Sequence, residues 1–106
     1  MLKRVRRRYL ALEVDSGEAF GSKEFMDAVW NAVSKLFGEY GASQAGLALI
    51  DYDADRRLVV IRTAHAALDM VCAALASIIK IQDKPVAIRV LRVSGTIRTL
   101  YKKIEK

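Results

Sequence analysis

Several things are scarce in this 106-residue sequence, and each scarcity excludes something. There is a single cysteine, Cys72, so no disulfide can close within the chain, which fits a reducing compartment. There is a single histidine, His65. Cys72 lies seven residues beyond it, about two helical turns, too far for the hydrogen bond of a thiol–imidazole nucleophile. His65 and Asp69 can meet at i, i+4, but two ligands do not make a zinc site. Asp51, Asp53 and Asp55 mimic the opening of a calcium loop, yet its sixth and twelfth positions are Arg56 and Arg62 instead of Gly and Glu. No catalytic residue, metal or cofactor of the protein's own is therefore expected. Long apolar runs are missing too. The stretch 64–79 carries His65 and Asp69 and is short for a membrane span of ~20 residues, and Glu13 and Asp15 interrupt what would follow a secretory basic cluster. There is one proline, no internal repeat and no linker, so a single soluble cytoplasmic domain covering 1–106 is expected.

What is present is charge, and it is segregated. The net charge is +6, with 18 basic and 12 acidic residues. Residues 1–8 hold five Lys/Arg and no acid; residues 98–106 hold Arg98, Lys102, Lys103 and Lys106 against Glu105 alone. The stretch between them is slightly acidic. A near-neutral centre with two basic ends reads as a scaffold carrying a polyanion-binding surface.

Hydrophobic residues make up 53% of the chain, enough for an ordinary core. Leu10, Leu12 and Val14 alternate, predicting a half-buried strand over 9–15. A loop follows to Gly21, and Ser22 is placed to cap a helix. Phe25, Met26, Val29, Trp30, Val33, Leu36 and Phe37 then recur at helical spacing and are read as core, with Gly38 or Gly41 ending the helix. Residues 45–52 and 58–63 read as two strands of a hairpin turning on polar residues 53–57. An Ala-rich helix over 64–79, a strand over 84–93 and a final helix opening at Ser94-Gly95-Thr96 complete the order. This β-α-β-β-α-β core plus a C-terminal helix predicts an α+β, ferredoxin-like (RRM-like) sandwich on a four-stranded antiparallel sheet.

The arm Lys3, Arg4, Arg6, Arg7, Arg8 has four Arg to one Lys, and Arg suits bidentate phosphate contact. The last helix lines up Ile97, Leu100, Tyr101 and Ile104, leaving Arg98, Lys102 and Lys103 off that stripe. Such a helix docks its apolar face on the sheet or a partner and turns its charge outward. Ser94-Gly95-Thr96 offers N–H groups and hydroxyls that suit either a phosphate or ordinary capping. The strand at 58–63 has no aromatic where an RNA-recognition motif needs one, so base stacking on the sheet is not expected. RNA contact would then come through phosphates and shape.

Taken in order, Lys3-Arg4-x-Arg6-Arg7-Arg8-Tyr9, Trp30-Asn31, Leu36-Phe37-Gly38-Glu39-x-Gly41-Ala42-Ser43, Ala45-Gly46-Leu47, Arg62-x-x-His65 and Val90-Leu91-x-Val93-Ser94-Gly95-Thr96-Ile97 carry a resemblance. The chain resembles the archaeal ribonuclease P protein component 2 family, related to a eukaryotic subunit shared by ribonucleases P and MRP. It departs from that pattern at 63–66, where Cys before and Lys after His65 would be expected. The resemblance implies a non-catalytic, RNA-binding subunit of the ribonucleoprotein that removes the 5′ leader of precursor tRNA. The RNA, with divalent metal such as magnesium, performs the chemistry. Implied partners are ribonuclease P RNA, precursor tRNA indirectly, other ribonuclease P proteins, and protein component 3 in a heterotetramer with two copies of each.

The site expected on this reading is Lys3, Arg4, Arg6, Arg7, Arg8, Arg98, Lys102 and Lys103, with Arg62, His65, Ser94, Gly95 and Thr96 as a second tier. Apolar sheet positions and the last helix would supply protein–protein contact. Two other functions remain open on this fold. An acylphosphatase-like hydrolase would need an anion-cradling Arg loop after the first strand, where Asp15-Ser16-Gly17-Glu18 stands. A ferredoxin-like dimerisation domain would leave the basic ends unexplained.

Overall fold

The alternation of Leu10, Leu12 and Val14 does form a strand, β1 (Arg7–Ser16), and it lies in the middle of the sheet. A computed structural model describes residues 6–16 and 20–104, so Lys3 and Arg4 of the arm, residues 17–19 of the first loop, and Glu105 and Lys106 lie outside the described residues. After β1 come α1 (Ser22–Gln44), β2 (Ala48–Asp53) and β3 (Leu58–Ala64). A 3-10 turn (His65–Ala67), α2 (Leu68–Ser77), β4 (Lys80–Ile81), β5 (Lys84–Ser94) and α3 (Ile97–Ile104) follow. The sheet order is β2-β3-β1-β5-β4 with every pairing antiparallel. Without β4 this is the ferredoxin-like arrangement expected.

The sheet has five strands where four were expected. The extra one is a two-residue strand closed on β5 by Gln82 and Asp83, both at positive φ (52° and 64°), the backbone of a tight two-residue hairpin. A second difference lies in α1. Gly38 breaks it, at φ 79° and ψ 167°, a conformation open essentially to glycine, but the chain resumes helix as far as Gln44. Gly21, not Ser22, is the N-cap residue. The 64–79 helix is shorter than expected, entering through the 3-10 turn and ending at Ser77 because Ile78 and Ile79 lead into β4.

Both faces of the sheet are covered. On one, Leu10, Leu12, Val59 and Ile61 pack with Phe25, Val29 and Val33 of α1 and Val71 and Leu75 of α2. On the other, Leu100 of α3 closes over Ala11, Leu58 and Val60, flanked by Tyr9, Ile50, Leu91 and Tyr101. Leu10, Ala11 and Leu12 are consequently all fully buried in succession. Three of the seven residues of the expected α1 stripe stay outside. Trp30, Leu36 and Phe37 are 42, 50 and 43% exposed, because the sheet engages only the Phe25–Val29–Val33 side of the helix.

Candidate nucleic-acid interface

Strand register determines which basic residues meet. Arg7 lies opposite Ala64, and Tyr9 lies opposite both Arg62 and Ser94. The start of β1 therefore sits beside the ends of β3 and β5. The His65 N–H donates to the Arg6 carbonyl at 2.7 Å, extending this contact past the strands. A Cβ on Gly95 would stand 3.4 Å from Arg8 Nη1, so the Arg8 guanidinium lies across the turn that opens α3. Arg6, Arg7, Arg8, Arg62, His65, Ser94, Gly95 and Thr96 thus share one end of the sheet, and Arg98 follows on the first turn of α3.

The hydroxyls at this turn cap the helix. Ser94 Oγ accepts the Thr96 N–H at 3.3 Å, and Thr96 Oγ1 accepts the Thr99 N–H at 3.2 Å. Lys102 and Lys103 lie apart from the cluster. The helix crosses the sheet, Leu100 anchoring it, and Tyr101 Oη donates to Asp51 Oδ2 on β2 at 3.0 Å. Both lysines are exposed on the last turn beside that contact.

Charge is distributed as unevenly in space as in sequence. Toward the other end of the sheet, Arg89 Nε donates to Glu13 Oε1 at 3.0 Å and Arg57 Nη1 to Asp15 Oδ1 at 3.1 Å. Asp53 Oδ1 accepts the Arg56 N–H in the β2–β3 turn. Among the described residues, no carboxylate pairs with Arg6, Arg7, Arg8, Arg62, Arg92 or Arg98. Arg62 Nε is shut off from solvent and has no hydrogen-bond partner there.

Among the described residues no group of three or more His, Cys, Asp or Glu could hold a metal ion. Burial, and next the Asp69 carboxylate, push the Cys72 thiol up, which favours the thiol over the thiolate. Tyr9 packs into the small cluster beneath α3 instead of presenting its ring. The sheet face is thus unavailable for base stacking for two reasons, few aromatics and a helix lying over it.

Residues 8–105 match the sequence model of the Rpp14/Pop5 family. The chain belongs to that family. It is 34% identical over 100 residues to the protein of Pyrococcus furiosus named ribonuclease P protein component 2, covering 94% of this chain and 83% of that one. The protein of the same name from Halorubrum lacusprofundi is 31% identical over 99 residues, and this chain spans 62% of its length. In fold, a chain in the cryo-EM structure of yeast ribonuclease MRP superposes with a TM-score of 0.73 at 17% identity, over 99% of this chain and 92% of that one.

Two features of this Rpp14/Pop5 chain were not legible in its sequence. Arg92 is exposed opposite Ala11, on the face that α3 crosses, and only strand register reveals it. Of the apolar sheet positions, Ala11, Leu58 and Val60 are covered by α3, whereas Trp30, Leu36, Phe37 and Tyr40 of α1 are exposed, as are Ile79, Val90 and Ile97 elsewhere. Among the described residues no helix is long and apolar enough to cross a membrane.

Proposed function

We infer that this chain serves ribonuclease P as a non-catalytic protein subunit that neutralises phosphates of the catalytic RNA. One observation supports this above the rest: Arg6, Arg7, Arg8, Arg62 and Arg98 gather at one end of the sheet with no carboxylate paired to them among the described residues. Concentrated positive charge of this kind attracts a polyanion and lets folded RNA segments approach one another at lower cost. Lys102 and Lys103 add a second contact beside β2. The carboxylates at 13 and 15 are held by arginines, and the chemistry belongs to the RNA and its divalent ions. Precursor tRNA is met indirectly, through the RNA.

Protein component 3 is the proposed partner of the exposed α1 residues Trp30, Phe37 and Tyr40, in an assembly with two copies of each subunit, and the complex works in the cytoplasm. Reconstitution tests this reading. Adding the chain to the cognate RNA and the other protein subunits should restore precursor-tRNA cleavage at low magnesium. Cleavage indifferent to its presence would overturn the assignment.

A further inference from the structure

The arm is one source of positive charge, and where it enters the sheet its Arg7 joins two arginines of the neighbouring strands. Arg7 of β1, Arg62 of β3 and Arg92 of β5 lie on the face that α3 crosses: Arg62 opposite Tyr9, Arg7 two residues before Tyr9, and Arg92 opposite Ala11. On this same face two further arginines, Arg57 and Arg89, are held by Asp15 and Glu13. The face thus sorts its arginines. Those toward one end are neutralised, while Arg7, Arg62 and Arg92 have no carboxylate partner among the described residues.

Arg62 and Arg92 stand within paired strands and are placed more firmly than an arm could place them, and Arg7 is the arm residue that pairs into the sheet, opposite Ala64. β3 is hydrogen-bonded to β2 on one side and β1 on the other, and Arg62 Nε is enclosed. Arg62 and Arg92 stand two strands apart, so their Cα atoms are separated by ~10 Å at least. Cations fixed at a set spacing lose little freedom on binding a ligand whose phosphates are also fixed. A double helix has that property and a flexible single strand does not. Single-strand binders add aromatic platforms for the bases. Here Tyr9 is packed into the cluster beneath α3 and Tyr101 is tied to Asp51.

We propose that Arg7, Arg62 and Arg92 form a rigid site for the sugar–phosphate backbone of double-helical RNA. This rests on the RNA-binding reading above and specifies the form of RNA bound. The full chain is titrated with a blunt RNA duplex of about 20 base pairs and with an unpaired strand of equal length, across a salt series, a size in keeping with known duplex binders. The duplex should bind more tightly.

Arg62→Gln and Arg92→Gln should each weaken duplex binding by about tenfold, the scale of one charge-assisted contact, and reduce the salt slope by about one. Arg62→Lys should retain the slope while recovering only part of the affinity, since it keeps the charge but not the fork. Arg92 is exposed, so its variant tests the site even if Arg62→Gln does not fold. Single strand bound as tightly as duplex overturns the proposal. So do unchanged affinity and slope in both glutamine variants while an arm variant that keeps Arg7 (Lys3, Arg4, Arg6 and Arg8 replaced by alanine) weakens binding, and that result leaves the RNA-binding function standing. No binding of either RNA at low salt overturns both.

Discussion

The two ends of the sheet use the same side chain in opposite ways. Toward one end Arg57 and Arg89 are spent on Asp15 and Glu13; at the other Arg6, Arg7, Arg8 and Arg62 have no acidic partner among the described residues. Exposed ion pairs contribute little stability, so the paired end is not explained by a need for strength. Its effect is on the field. Cancelling charge there leaves more of the arginine charge unpaired at the other end, where β1 begins and α3 starts. A protein of net charge +6 spread evenly would attract RNA in any orientation. Segregation supplies an orientation.

The comparison breaks most visibly if the unpaired end is discharged. Replacing Lys3, Arg4, Arg6, Arg7 and Arg8 with alanine should lower RNA affinity by about 100-fold or more near physiological salt and flatten log affinity against log salt by about four units, each neutralised phosphate contributing ~0.7–0.9. An unchanged slope in a binding titration removes the arm from the mechanism.

The next effect is on the helix that divides the two ends. Leu100→Ala empties the small cluster over Ala11 and Val60 and should cost about 2–4 kcal/mol in urea unfolding. Smaller again is the pH response of that helix. Burial, and then the bond to Asp51, raise the Tyr101 phenol above its ordinary value. A raised folded-state value means that the stabilisation is complete below the unfolded value near 10 and is lost as pH rises through the folded one. Stability should therefore fall through that alkaline window, and Tyr101→Phe should remove this contribution to the fall. The smallest effect belongs to the paired end: Arg89→Gln should leave RNA affinity unchanged, and a clear loss there would erase the distinction between the ends.

Much of this was legible in the residues themselves. The alternation at Leu10, Leu12 and Val14, the polar turn at 53–57 and the pairing of Leu100 with Tyr101 on α3 are local patterns that tertiary packing preserved. What escaped notice has non-local causes. A two-residue strand has no period, and the turn that forms it puts Gln82 and Asp83, not glycine, at positive φ. The same stripe that buries Phe25 continues onto Trp30 and Phe37, and nothing in helical spacing says where the sheet stops covering it. Gly38 signalled a helix end, but the backbone it permits can redirect a helix as well as end one. The candidate site divides the same way. The basic ends are visible in composition, whereas the meeting of Arg62, His65 and Gly95 with Arg6, Arg7 and Arg8 exists only through antiparallel register.

The arginines of the unpaired end, where RNA binding is proposed, run directly into β1, which is bonded to β3 along one side and β5 along the other. A load applied through them by a large RNA therefore acts as shear along two ladders at once, and many hydrogen bonds must give together before the strand slides. Had the same residues led into β2 or β4 at the sheet's margins, the pull could peel bonds away one after another. The handle is attached where the fold resists being pulled.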